Sequence, residues 1–362
     1  MAADQKSMFS SLDFPLLSGI FMICGIGMIA LYSASGEDVD MLIKHSARLG
    51  FAFLAMYVVS RIPTSTLSTL SLHLYCAGLV LLVLVLSVGI IGKGAQRWID
   101  LGFVRFQPSE IMKITVPMMT AWILTKHPLP PRKFTLSLAV LAVAVPCVLI
   151  ILQPDLGTSL LIAASGSVVI FLAGISWKLI LSLGVAGVVA APLVWNLVLH
   201  DYQKERIITL FDPWSDSLGA GYHTVQSIIA IGSGGVRGKG WLSGTQSQLE
   251  FIPERSTDFI FSVYGEEFGL AGVILLLVLY LFLVARGMWI ALNIDDSYSK
   301  LLAGGLSITF FIYVFVNIGM VSGILPVVGV PLPFVSYGGT SIVTLMIGFG
   351  ILMGISRRIK PY

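Results

Sequence analysis

The sequence predicts an all-α membrane protein with about ten transmembrane helices and a large extracytoplasmic loop between helices 7 and 8. Composition is the first reason: hydrophobic residues make up 56% of the 362 residues and charged residues only 11%, whereas a soluble domain carries about 25% charged residues. The mean hydropathy of +0.92 agrees. The second reason is that long apolar runs recur along the chain, and inside lipid such runs must be helical because the backbone has no water to pair with.

Ten segments approach the roughly 20 apolar residues that cross ~30 Å of hydrocarbon. They are 14–34, 45–60, 68–91, 109–125, 134–152, 157–175, 177–199, 259–286, 300–321 and 336–356. The segment 45–60 is the weakest candidate because it is short and contains Arg48. We interpret the whole chain, 1–362, as a single integral-membrane domain.

Lys and Arg residues in the short loops predict the orientation, because cytoplasmic loops carry an excess of them. With the N-terminus inside, the cytoplasmic segments hold Lys6, Arg61, Lys126, Arg132, Lys133, Lys178, Arg286, Lys300, Arg357, Arg358 and Lys360, and the short outer loops hold Lys44, Lys93, Arg97 and Arg105. Both termini are therefore predicted to be cytoplasmic and the loop 200–258 extracytoplasmic. This loop carries five Lys/Arg and seven Asp/Glu, and charge concentrated in this way on a membrane protein marks where polar chemistry takes place.

Several function classes are disfavoured. A net charge of +3 is too small and too scattered for nucleic-acid binding. The three cysteines lie in apolar runs and suit neither a disulfide framework nor a metal spacing. No internal repeat of the kind found in secondary transporters is recognisable, although a diverged repeat can escape notice.

The start of the fourth span carries two charges at the membrane boundary. Glu110 and Lys113 are three residues apart, so they share a helix face and can pair. The pair either locks the helix in place or lines a polar cavity that opens to the outer side. Trp98, in the loop before it, is either an interfacial anchor or part of that cavity. Asp155, in Gln153-Pro154-Asp155, is expected to cap the next helix through the N–H of Gly157 or Thr158.

The large loop contains two further candidates. The Gly-rich stretch 232–240 does not match a phosphate-binding P-loop, since Gly240 follows Lys239 where Ser or Thr is required. Its backbone amides, with Arg237 and Lys239, suit a pyrophosphate. Asp258 is the last charge before span 8. It either caps that helix or, beside Arg255, acts as a base that deprotonates a hydroxyl.

Two features lie closer to the bilayer interior. Glu266 and Glu267 are about two turns into span 8, and at least one of them should face the bundle interior. Pro326, Pro331 and Pro333 crowd an uncharged outer loop that continues into the Gly- and Ser-rich stretch 336–341 at the start of the last span. Such a stretch predicts a re-entrant or kinked element that lines a cavity.

Taken together, these segments resemble the SEDS family (shape, elongation, division and sporulation), and within it the rod-shape branch, RodA. The resemblance runs from about residue 12 to 356. It rests on 92–110 (GKGAQRWIDLGFVRFQPSE), 153–160 (QPDLGTSL), 218–258 and 331–341 (PLPFVSYGGTS), and GKGWLSGTQSQLEFIPERSTDFIF at 238–261 is closer to the rod-shape branch than to the division branch.

The resemblance implies a peptidoglycan polymerase of the bacterial cytoplasmic (inner) membrane that acts in cell elongation. Its substrate would be lipid II, the undecaprenyl-pyrophosphoryl disaccharide-pentapeptide, polymerised into β-1,4 glycan strands on the outer face. Its partner would be a class B penicillin-binding protein that supplies transpeptidase activity. The family's essential aspartate corresponds to Asp258, its ion pair to Glu110 and Lys113, and its QPD aspartate to Asp155.

The implied reaction converts an α-linked donor into a β-linked product, so a single inverting displacement with one base is sufficient. Asp258 is the expected base. The leaving pyrophosphate needs positive charge, which we expect from Arg206, Arg237, Lys239 and Arg255, with or without a divalent cation such as Mg²⁺ or Mn²⁺. The other expected substrate-binding residues are Arg48, Arg97, Trp98 and Gln107.

Two other function classes compete with an enzyme. A lipid II flippase would also use ten helices and intramembrane charges, but it needs polar residues through the full membrane depth, and spans 3, 6, 7 and 9 offer few. A scaffold that only binds the transpeptidase has little need for Asp258 and several cations beside a lipid surface. The sequence therefore favours the enzyme, then the flippase, then the scaffold.

Overall fold

The computed structural model describes residues 12–92, 95–100, 105–175, 177–197, 201–214 and 221–359. Its helices are α1 (Phe14–Ala34), α2 (Val39–Ser60), α3 (Thr64–Val88), α4 (Pro108–Thr125), α5 (Lys133–Ile151), α6 (Leu156–Leu172), α7 (Trp177–Leu197), α8 (Asp201–Phe211), α9 (Tyr222–Gly234), α10 (Thr245–Gln248), α11 (Ile260–Asn293), α12 (Ser297–Val321) and α13 (Thr340–Ser356). The strands are β1 (Ile90–Gly92), β2 (Ala95–Asp100) and β3 (Arg105–Phe106).

The helices have the length and composition of membrane helices. Among the described residues, six are long and apolar enough to cross a bilayer, namely α1, α2, α3, α5, α11 and α12. The apolar helices α6 and α13 are shorter. The mostly helical fold class and the membrane-helix character agree with the sequence, whereas the count of ten spanning helices stays a prediction.

Several helices begin where the sequence supplies a cap. Asp13, Asp38, Asp155 and Asp296 each accept a backbone N–H in the first turn of the helix that follows, which satisfies an N–H that would otherwise lack a partner. Pro108 is the first residue of α4, where its missing N–H costs nothing.

Two helices form the centre of the bundle. In α12, 67% of the residues in an apolar stretch of 18 residues are buried, against 22–44% in the corresponding stretches of the other five long apolar helices. It packs against α4, α6, α9, α11 and α13. Helix α4 in turn packs against α3, α5 and α6. The polar end of α4 and the segments around α12 therefore lie where several helices can contribute side chains to one site.

A small sheet departs from the predicted all-α class. The connection between α3 and α4 forms the antiparallel order β1-β2-β3, with Ile90 opposite Trp98 and Ile99 opposite Phe106. Strand pairing gives partners to backbone groups of a loop that must stay compact at the bundle surface. The prediction was based on long apolar runs, which do not reveal short strands in a connecting loop.

The predicted eighth span is broken near its start. Gly269 has φ +62° and ψ −164° inside α11, so a short helix precedes the break and a long one follows it. The backbone of the Gly-rich stretch pairs with the break: the N–H groups of Lys239 and Gly240 donate to Glu266 and Glu267, each at 3.0 Å. Both glutamates are buried, as expected, but they lie before the break rather than in a continuous span.

Gly269→Ala is expected to destabilise the protein strongly. A Cβ at this position would lie 2.3 Å from the backbone nitrogen of Gly238, and the backbone conformation is one that only glycine adopts readily, at a cost of about 1–3 kcal/mol for other residues. Thermal unfolding of the purified protein in detergent should show a clear loss. The matched control is Gly25→Ala in α1, where an added Cβ meets nothing within 4 Å. Equal unfolding temperatures for the two variants would contradict this account of the break.

Candidate active site

A cavity of about 1630 Å³ enters the bundle between α2, α3, α4, α13 and the irregular segment that follows α12. Its polar wall contains most of the residues singled out from the sequence: Arg48, Arg97, Trp98, Gln107, Glu110, Lys113, Asp155, Arg206 and Asp258. These residues come from distant parts of the chain. The fold therefore brings one acidic candidate base and four cationic side chains to a single space.

Asp258 lies at the cavity wall just before α11 and is half-buried. The cap position of α11 is Phe259, which makes no side-chain cap hydrogen bond, and Asp258 lies one residue before it. Its carboxylate faces Gly329, where an added Cβ would lie 3.4 Å from Oδ2. The absent side chain at Gly329 keeps space open beside the carboxylate.

His223 packs against Phe259, the residue that follows Asp258. Its ring stacks on Phe259 with centroids 5.6 Å apart. Burial lowers the pKa of His223 below its ordinary value, and Arg206 lowers it further, against the opposing effect of Glu254. The lowered pKa disfavours a charged ring, and the contact with Phe259 is one of ring packing.

Asp155 joins two elements at the cavity. Its Oδ1 accepts the N–H of Thr158 at 3.2 Å, which confirms the predicted cap of α6. Its Oδ2 accepts the side-chain amide of Gln107 at 3.1 Å and lies 3.6 Å from the guanidinium of Arg97. Arg97 also donates to the carbonyl of Pro154 at 2.9 Å. Asp155 thus caps a helix and also fixes two residues of the cavity wall.

The predicted ion pair of α4 is formed. Nζ of Lys113 lies 2.6 Å from Oε1 of Glu110, and the two side chains are 11% and 7% exposed. Lys113 also lies over the ring of Tyr313, 5.2 Å from its centroid. Both charged side chains also line the cavity. The two alternatives left open by the sequence, a pair that locks α4 and a pair that lines a polar cavity, are therefore compatible.

Arg48 is held by an aromatic ring. Its guanidinium lies 4.6 Å from the ring centroid of Tyr337, a cation–π contact that leaves the charge available to an anion. Within the part of the chain that the structure describes, no carboxylate forms an ion pair with Arg48. Tyr337 was not predicted as a site residue, although the Gly- and Ser-rich stretch that contains it was predicted to line a cavity.

Three predicted substrate-binding cations lie elsewhere in the described structure, outside the cavity wall. Lys239 pairs with the buried Glu266 at 2.7 Å. Arg255 pairs with Glu250 at 3.0 Å and donates to the carbonyl of Ser247. Arg237 is exposed in the stretch that pairs with the break in α11. Two of these charges thus serve the loop's own structure, which the sequence could not distinguish from substrate binding.

The described residues do not form a resident metal site. No group of three His, Cys, Asp or Glu side chains among them lies close enough to hold an ion. Of the cavity carboxylates, Glu110 pairs with Lys113 and Asp155 with Arg97 and Gln107.

The comparisons with known proteins agree with this fold. The model of the FtsW/RodA/SpoVE family, described as cell cycle protein, matches residues 6–360. The chain is 51% identical over 352 residues to the peptidoglycan glycosyltransferase MrdB of Escherichia coli K12, covering 96% of this chain and 94% of that protein.

Two solved structures are similar over nearly the whole chain. One belongs to a study of how a peptidoglycan synthase complex coordinates polymerization and crosslinking (TM-score 0.84, 32% identity, 96% of this chain and 98% of that one). The other is the rod shape determining protein RodA of Thermus thermophilus (TM-score 0.74, 30% identity, 97% and 99%). The predicted SEDS membership is confirmed: this chain belongs to the FtsW/RodA/SpoVE family of cell cycle proteins.

Proposed function

We propose that this chain is a peptidoglycan glycosyltransferase that joins lipid II units into β-1,4 glycan strands during cell elongation. The observation that carries the proposal is a single cavity lined by Asp258, by the cations Arg48 and Arg206, and by the Glu110–Lys113 pair. The naming of its relatives as peptidoglycan glycosyltransferases supports it.

Asp258 acts as the general base. The C4 hydroxyl of the acceptor GlcNAc attacks C1 of the donor MurNAc, and Asp258 takes the hydroxyl proton as the new C–O bond forms. The bond between C1 and the phosphate oxygen breaks, and its electron pair leaves with the lipid pyrophosphate. One displacement inverts an α-linked donor to a β-linked product, so no covalent glycosyl-enzyme is required. The carboxylate must be ionised to accept the proton.

The cavity cations stabilise the leaving pyrophosphate. Arg97 and Lys113 already face carboxylates at 3.6 Å and 2.6 Å, so part of their charge is matched within the protein. Arg48 is held by Tyr337 rather than by an acid, and we assign it the first role. Arg206 lines the same cavity and adds charge. Neutralisation by fixed cations avoids the cost of reorganising water as the charge develops.

The apolar part of the cavity wall fits a lipid chain. Leu70, Leu74, Met118, Ile347 and Ile351 belong to it. An apolar wall contiguous with a charged one matches a substrate with a pyrophosphate at the end of a long hydrocarbon. A soluble enzyme would have to extract that hydrocarbon from the bilayer at about 0.8 kcal/mol per CH₂ group.

The orientation follows from this assignment. We place the loop 200–258 outside the bacterial inner membrane, with ten spanning helices and both termini in the cytoplasm, which agrees with the distribution of Lys and Arg. The partner is a class B penicillin-binding protein that crosslinks the strands, a proposal supported by the similarity to the synthase-complex structure.

A flippase is the second candidate, and the cavity lining disfavours it. A path for the headgroup would need polar side chains through the full depth of the membrane. The cavity lining around the connection from α2 to α3 is instead apolar, with Val59, Ile62 and Leu67. The charged lining residues Arg48, Glu110 and Lys113 lie in the N-terminal halves of α2 and α4, as a one-sided enzyme requires.

The test separates the two candidates in one preparation. The purified chain and a class B partner with an inactivated transpeptidase centre are reconstituted into vesicles that contain fluorescent lipid II in both leaflets. We expect glycan chains from the leaflet facing the large loop, and no exchange of lipid II between leaflets. Exchange without chain formation would contradict the enzyme and favour the flippase.

A further inference from the structure

The segment 256–258, which contains Asp258 and is called the catalytic segment below, is held by hydrogen bonds to three consecutive backbone carbonyls. The carbonyl of Ser256 accepts the N–H of Tyr337 at 2.9 Å. The carbonyl of Thr257 accepts the hydroxyl of Ser336 at 2.6 Å, and that of Asp258 accepts the side-chain amide of Asn317 at 2.9 Å. All three donors come from α12 or from the segment that follows it, at least 59 residues along the chain from their acceptors.

Asn317 is a fully buried polar residue in the apolar helix α12. Its amide nitrogen donates to the carbonyl of Asp258 at 2.9 Å and to that of Val330 at 2.6 Å. An asparagine amide has two N–H groups, so both are used. One side chain therefore joins the catalytic segment to the loop that contains Gly329, the residue facing the Asp258 carboxylate.

Ser336 makes a second bridge of the same kind. Its hydroxyl accepts the N–H of Leu332 at 2.7 Å while it donates to the carbonyl of Thr257. The side chain is 1% exposed, so water does not compete for these bonds. A buried hydroxyl used in both directions fixes the relative position of the two segments.

The catalytic segment has little other regular structure. Thr257 and Phe259 donate their N–H groups back to the carbonyl of Glu254, at 3.0 and 3.3 Å, and form a turn. Asp258 then lies two residues before Ile260, the first residue of α11. The turn and the bonds to the three carbonyls from outside thus hold the backbone that carries this carboxylate.

We propose that Asn317 and Ser336 are positioning residues for Asp258. They hold the backbone of 256–258 so that the carboxylate meets the acceptor hydroxyl at reacting distance, and they tie that backbone to the loop that forms the facing wall. This inference rests on the proposed function, in which Asp258 is the base. A displacement of about 1 Å at a reacting group can cost about 100-fold in rate, so loosening these bonds should lower kcat.

A purely structural role predicts a different pattern. Loss of stability alone would reduce the amount of active enzyme, whereas loss of positioning lowers kcat in protein that remains folded. The KM for lipid II should stay within about twofold, because the cations and the apolar wall that bind the substrate are unchanged. The split between kcat and KM, measured on protein of equal folded fraction, therefore distinguishes the two roles.

The experiment compares Asn317→Ala and Ser336→Ala with Ser307→Ala, each as the full chain in complex with its partner. Ser307 is also a buried serine, but its hydroxyl donates at 2.7 Å to Ala303 in its own helix. We expect kcat to fall about tenfold in Ser336→Ala and up to about 100-fold in Asn317→Ala, and to stay unchanged in Ser307→Ala. If Asn317→Ala does not fold, Ser336→Ala decides the question.

Hydrogen exchange gives a readout that does not depend on the reaction. Peptides covering 253–260 should exchange faster in both test variants than in the wild type, and at the wild-type rate in Ser307→Ala. Unchanged exchange would overturn the bridges, and faster exchange with an unchanged kcat would overturn the positioning role. A wild-type kcat in Asp258→Asn would instead overturn the base assignment, so failure of the proposed mechanism is recognised separately.

Discussion

Asp258→Asn is expected to lower the rate of lipid II polymerisation by about 10²–10⁴-fold, the usual contribution of a general base. Asparagine keeps the size of the side chain and an oxygen, but it cannot accept the hydroxyl proton at neutral pH. The rate of lipid II consumption by the purified complex measures the effect. Because asparagine has nearly the same volume and can still hydrogen-bond, the thermal unfolding temperature should hardly change.

The control for this variant is Asp295→Asn. Asp295 is exposed between α11 and α12, so the same chemical change takes place away from the cavity. This variant should polymerise at the wild-type rate. An Asp258→Asn variant with a strongly lowered unfolding temperature would indicate that its loss of activity comes from misfolding and not from loss of the base.

Glu110→Gln is expected to destabilise the protein by about 3–5 kcal/mol, because it leaves the ammonium of Lys113 buried without its counter-charge. The pair is short, at 2.6 Å, and both side chains are almost fully buried. We therefore expect a lower unfolding temperature and poor expression, with activity lost in proportion to folded protein. Thermal unfolding in detergent, with activity per folded molecule, measures both effects.

The double variant Glu110→Gln with Lys113→Gln is the matched control. It removes both charges, so no buried ion is left unpaired, and much of the stability should return. Normal stability of Glu110→Gln combined with lost activity would contradict the structural role and would make Glu110 part of the catalytic machinery. Such a role is physically feasible because Glu110 lines the cavity.

The membrane-helix character could be predicted because hydrophobicity along the chain is a local property. Asp155 illustrates the same point for a cap, since its partner Thr158 lies three residues away. The break at Gly269 was not predicted. Nothing in the local sequence distinguishes Gly269 from a glycine inside a regular helix. The break depends on the close approach of the Gly238 backbone, which is visible only in the fold.

The cationic residues show where sequence reasoning about the site ends. Lys239 and Arg48 are both plausible pyrophosphate ligands by charge. Only the fold reveals that Lys239 is paired with the buried Glu266 at 2.7 Å, whereas Arg48 stacks on Tyr337 in the cavity wall. Such pairings depend on residues far apart in the sequence, and a single sequence does not encode them in any readable spacing.

Asn317 carried a signal that the sequence analysis did not use. A side-chain amide in the middle of an apolar span is costly unless it is hydrogen-bonded, so it marks a tertiary contact. The identity of that contact, the carbonyl of Asp258, required the fold. Asp258 itself was predicted as the base, with a helix cap as the alternative, and it lies one residue before the cap position of α11.

The most direct test of the account is the product formed from lipid II by wild-type and Asp258→Asn protein. Each is purified with its class B partner, whose transpeptidase centre is inactivated, and the glycan products are separated by length. We predict long chains from the wild type and essentially none from the variant. Chains of similar amount and length from both proteins would contradict the central claim that Asp258 is the base of this polymerase.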